Sequence, residues 1–91
     1  MKVVAINVLE DCFDGSFRKE IVLEQTITPE FIRYLGQVGT LQYFPHFARP
    51  FFRLDAQGFM LKGIQNNTYM HLLIIDPTKE AELLTLIHNY I

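Results

Sequence analysis

The sequence predicts an α+β domain in which two helices pack on one face of a mainly antiparallel sheet, and three observations carry that prediction. Segments rich in Val, Ile and aromatic residues repeat at strand period, two Pro-containing signals open helical stretches, and turn residues punctuate the remainder at short intervals. The chain has 91 residues, the size of one domain. Folding at that length buries only about two-thirds of the surface that the open chain exposes. We therefore expect a single domain over residues 1–91, with room for one core.

Lys2 to Leu9 is the first expected strand. Val4, Ile6 and Val8 share one parity and Val3, Ala5 and Leu9 the other, so both faces are apolar and an interior strand is expected. Asp14-Gly15-Ser16 supplies turn chemistry. Phe17 to Ile27 follows with cleaner alternation: Phe17, Ile21, Leu23 and Ile27 against Arg18, Glu20, Glu24 and Thr26, one face dry and one wet. The two strands form a hairpin. At Thr28-Pro29-Glu30 a capping hydroxyl, a first-turn proline and an acid at the positive helix end mark a helix. Its inward stripe is Phe31, Ile32, Leu35 and Val38, and Gly36 and Gly39 limit its length. Phe51–Asp55, Phe59–Gln65 and Thr68–Ile75 read as three strands turned at Ala56-Gln57-Gly58 and Asn66-Asn67. Asp76-Pro77-Thr78 then opens a C-terminal helix with Ala81, Leu84, Ile87, His88 and Ile91 at helical spacing. The predicted order is ββαβββα, a two-layer sandwich that is broadly ferredoxin-like in architecture.

Composition narrows the function classes. Hydrophobic residues make up 49% of the chain and charged residues 20%, too apolar for a disordered segment. No apolar run approaches the roughly 18 to 20 residues that span a bilayer, and the N-terminus reads as a strand rather than a signal peptide. Cys12 is the sole cysteine, which rules out an intramolecular disulfide and points to a cytoplasmic setting. A formal net charge of -2 argues against nucleic acid as a partner, as does the missing glycine-aromatic strand signature of RNA-binding sheets.

Searching for chemistry gives little. His46, His71, His88 and Cys12 come from separate segments without metal-ligand spacing, and no metal or other cofactor is expected. Asp11 and Asp14 flank Cys12 and disfavour a reactive thiolate. Glu20, Glu24, Glu80 and Glu82 fall on faces expected to be solvated, and no phosphate loop or nucleophile elbow occurs, so catalytic residues are not assigned.

The most informative stretch runs from Tyr43 to Leu54, where five aromatic residues sit among Pro45 and Pro50, which cannot donate to a sheet ladder. This segment is expected at an edge. Its aromatics either fold into the core or meet a partner, and together with the apolar residues of Val3 to Leu9 they favour self-association. The function expected is therefore a non-catalytic domain acting through protein contacts, with Tyr43, Phe47 and Phe51 at the interface. The alternative is a sensor or accessory domain for a small anionic ligand. In that reading His46, Arg49 and Arg53 recognise the acidic group, because guanidinium forks match carboxylate or phosphate.

Overall fold

The computed structural model describes residues 1–11 and 17–90. The turn expected at Asp14-Gly15-Ser16 and the thiol of Cys12 lie outside the described residues. Six strands form one antiparallel sheet: β1 (Val3–Asp11), β2 (Phe17–Leu23), β3 (Thr40–Phe44), β4 (Phe51–Ala56), β5 (Phe59–Ile64) and β6 (Tyr69–Ile74). Their spatial order is β1-β2-β6-β5-β4-β3. Helices α1 (Pro29–Leu35) and α2 (Thr78–His88) pack against one face. The α+β class and the two helices agree with expectation. The element order does not, because the chain runs ββαββββα and the likeness to a ferredoxin-like βαββαβ unit stops at the two layers. The strand that sequence reasoning omitted is β3, where Thr40 and Gln42 interrupt the apolar pattern and Gly39 and Pro45 close in on both sides.

Strand parity decides what the helices cover. Ile21 and Leu23 of β2, Phe52 and Leu54 of β4, Phe59 and Leu61 of β5, and Met70, Leu72 and Ile74 of β6 are buried in one cluster with Phe31, Ile32, Leu35, Leu83 and Ile87 of the helices. Ile27, just past β2, is fully enclosed in the same cluster. Gly63 belongs to this layer because a Cβ there would stand 2.7 Å from the ring of Phe52. Lys19 also points to the helix side, where its ammonium meets Glu80 of α2 at 2.8 Å and ties helix to sheet.

Two expected details shift. β1 is an edge strand, not an interior one; it pairs with β2 alone, and none of its residues from Val3 to Leu9 is buried. On α2 the buried stripe is Leu83 and Ile87, one turn apart, with Leu84 and Leu86 half-buried beside it, whereas Ala81 and His88 face solvent. The α1 stripe holds for Phe31, Ile32 and Leu35 but not for Val38, which falls in a 3₁₀ turn over Gly36–Val38 and is exposed.

Helix starts follow their sequence signals. Thr28 Oγ1 accepts the Phe31 amide at 3.1 Å. At α2, Asp76 Oδ1 accepts both the amide of Thr78 at 3.0 Å and its hydroxyl at 2.7 Å, which holds the carboxyl below the usual aspartate range. The β4–β5 turn docks on this start: the Gly58 carbonyl accepts the amides of Ile75 and Asp76, both at 2.9 Å. Gly58 has φ +90°, and a Cβ there would lie 2.7 Å from the Lys79 side chain.

Two tests follow from this junction. Gly58→Ala meets both a strained backbone and a steric clash, so chemical denaturation should show a loss of about 1–3 kcal/mol. Asp76→Asn removes a carboxylate whose pKa is depressed by folding. Its contribution is present above the unfolded value near about pH 4 and is lost as pH falls through the lower folded value. Melting curves should therefore separate the variant from the parent at neutral pH and converge in strong acid; a gap that persists there would contradict the capping role.

Candidate functional site

On the face of the sheet turned away from the helices, cross-strand register organises side chains of all six strands into rows. One row crosses all six strands: Asn7, Glu20, His71, Lys62, Arg53 and Gln42 stand opposite one another in turn. A second row is apolar, with Phe44 opposite Phe51, Phe51 opposite Ile64, and Tyr69 opposite Val22 and, through it, Ala5. Opposed residues on one face of a sheet have Cβ atoms about 4.5–5.5 Å apart, so the residues paired within each row are close neighbours.

Between the rows runs a groove of about 580 Å³ whose walls include Phe44, Phe51, Ile64, Tyr69, Arg53 and Lys62. That volume lies within the range of small-molecule sites, about 300–1,000 Å³. Its charges are partly matched. Arg53 engages Asp55 two residues on through three contacts of 3.0–3.3 Å, and His71 stands 3.8 Å from Glu20. Asn7 donates to the other oxygen of Glu20 at 3.2 Å. Lys62, set between Arg53 and His71, has no ion-pair partner among the described residues.

The expected ligand residues are not gathered by this arrangement. Arg53 lines the groove, but His46 and Arg49 lie in the exposed loop between β3 and β4 and are not among its walls. An extended-chain parity between Arg49 and Arg53 has no meaning there, because β4 begins only at Phe51. The expected contact residues divide as well. Phe47 and Phe51 join Phe44 in an exposed three-ring cluster, with centroids 4.8 to 6.0 Å apart. Tyr43 belongs to the helix-side layer opposite Phe52, and its hydroxyl donates to Gln65 Oε1.

Sequence reasoning missed Lys62 as a site residue, yet the signal was present. The turns at Gln57-Gly58 and Asn66-Asn67 were both legible, and residues equidistant from a hairpin turn face each other. The first turn sets Lys62 opposite Arg53 and the second sets it opposite His71.

Among the described residues no cluster of three His, Cys, Asp or Glu side chains could hold a metal ion, and no helix is long and apolar enough to cross a membrane. The chain matches no known protein family, no characterised protein and no solved structure at a significant level.

The assignment of faces is open to direct measurement. Phe52→Ala empties a fully packed core site and should cost about 3–5 kcal/mol in urea unfolding. Phe51→Ala, on the uncovered face, should cost about 1 kcal/mol through lost ring stacking; equal losses for the two neighbours would contradict the register.

Proposed function

We propose that the chain is a non-catalytic contact domain that assembles with a second copy of itself, and that β1 is the joining edge. The observation that supports this reading is a mismatch between sequence and position. Lys2 to Leu9 has the apolar residues on both faces that belong to an interior strand, yet the fold leaves β1 with a neighbour on one side only. Val8 is 64% exposed and Val4 52%, with Ile6 and Leu9 also open. Adding a strand from a second copy would make β1 interior and would satisfy its outward backbone groups.

The two ends of the sheet differ in a way that favours this edge. β3 has five residues, and Gly39 and Pro45 bound it, features that discourage pairing with another chain. β1 has nine residues and no proline or inward lysine. Register shifts at Val3/Ala5 and Val8/Glu10 bend its ends, so regular pairing spans Ala5 to Val8. A two-fold axis at Ile6, a helix-side residue opposite Ile21, sets Ile6 against its symmetry mate and keeps the helices of both copies on one side of a twelve-stranded sheet. An apolar cleft lined by Val4, Ile6, Leu84 and His88 runs alongside and would receive the second copy's side chains.

Native mass spectrometry and light scattering should give a dimer for the parent chain. Val8→Glu is the informative variant: Val8 is 64% exposed, so the monomer accepts a carboxylate there, whereas a dimer interface would hold it away from water. The variant should run as a monomer with unchanged circular dichroism. A monomeric parent, or a Val8→Glu protein of parental mass, rules out the β1 edge.

A further inference from the structure

The groove on the uncovered face lies over β3 to β6, at the far end of the sheet from β1, and its chemistry is separate from the assembly reading. Three neighbouring positions of the polar row, Arg53, Lys62 and His71, are basic side chains. Like charges placed directly opposite each other on a sheet are destabilising unless something offsets them. Arg53 is offset by Asp55, and His71 faces Glu20. Lys62 has only these two basic neighbours across the strands, and among the described residues no acid pairs with it. Lys62 is therefore the cation of this row with no carboxylate within ion-pair distance among the described residues.

That charge borders an apolar wall. Phe51 stacks on Phe44 with ring planes 26° apart, and Ile64 and Tyr69 continue the wall past Lys62 toward β6. Phe44, Phe51 and Tyr69 are each more than a third exposed, so these rings present surface to the groove. One cation beside a band of aromatic and aliphatic surface is complementary to one anionic group on a planar apolar body. A dianion would find a single free partner; a neutral ring would leave Lys62 unmatched.

We propose that this groove binds a small aromatic monocarboxylate, with the Lys62 ammonium on the carboxylate and Phe51, Ile64 and Tyr69 against the ring. Binding involves no covalent step, and an ammonium–carboxylate contact gives Lys62 the direct partner it lacks among the described residues. The reading differs from the anion site expected at His46, Arg49 and Arg53, since it uses a free lysine on a strand rather than a loop.

The test is an NMR titration of the full chain with naphthoate and with its neutral analogue naphthamide. Naphthoate should shift the amide signals of Phe51, Lys62, Ile64 and Tyr69. An ion pair to an exposed lysine is a modest contact, so naphthamide should bind about three- to fivefold more weakly. Added salt should weaken naphthoate and leave naphthamide unchanged. Lys62→Gln, at an exposed position, should keep a dispersed spectrum while bringing naphthoate down to the affinity of the amide. Three results would overturn the proposal: no shifts with naphthoate, shifts confined to other parts of the chain, or undiminished naphthoate affinity in Lys62→Gln. Because Val8→Glu acts at the opposite edge, repeating the titration in that variant separates failure of the groove from failure of the dimer.

Discussion

The sheet is wider than two helices can cover on one side, and that limit shapes the rest of the molecule. Six strands at about 4.8 Å spacing span roughly 24 Å, while two helices of about 10 Å diameter laid side by side span roughly 20 Å. Among the described residues α1 and α2 are the only α-helices, and both lie on one face. Ile21 and Leu23 of β2, Phe52 and Leu54 of β4, Phe59 and Leu61 of β5, and Met70, Leu72 and Ile74 of β6 are buried beneath them, and among the described residues β1 and β3 contribute only partly buried side chains. The core therefore sits under the middle of the sheet. Both edges and the whole opposite face are left to solvent or to something that binds there.

A second constraint is the period of two along each strand, which sorts the aromatic segment that dominates the sequence. Phe51 and Phe52 are adjacent in the chain and have opposite fates: Phe52 is 1% exposed, whereas Phe51 stacks on Phe44 outside. Arg53 and Leu54 repeat the division. The choice between core and contact surface for this segment thus has no single answer, because alternate residues take each role. Gly63 makes the inner half possible by leaving space for the Phe52 ring.

Local signals were legible where the physics is local. Thr28-Pro29 and Asp76-Pro77 mark helix starts because a side-chain oxygen satisfies free amides within two or three residues. Gly58 and Asn66 mark turns because both take positive φ. What sequence reading lost depends on pairing at long range. Nothing in Val3 to Leu9 tells that β2 rather than β1 will lie beside β6, and that one fact turns an expected interior strand into an edge. His46 and Arg49 looked close to Arg53 because they are close in the chain. Lys62, nine residues beyond Arg53, is its actual neighbour across the sheet.

The edge position of β1 also explains why the two ends of the sheet can differ in use. Pairing of β2 with β6 places the strand with least local protection at one end and the short β3, with the aromatic cluster and groove beside it, at the other. A second copy added along β1 extends the sheet without touching the Lys62 row between β4 and β6. The row itself nonetheless reaches β1 through Glu20 and Asn7. Glu20 shares its two oxygens between Asn7 and His71, at 3.2 and 3.8 Å, so a change in strand β1 bears on the carboxylate facing His71, next to Lys62. The edge strand and the basic positions of the row are joined by a single line of side chains, and the residue that connects them is Glu20.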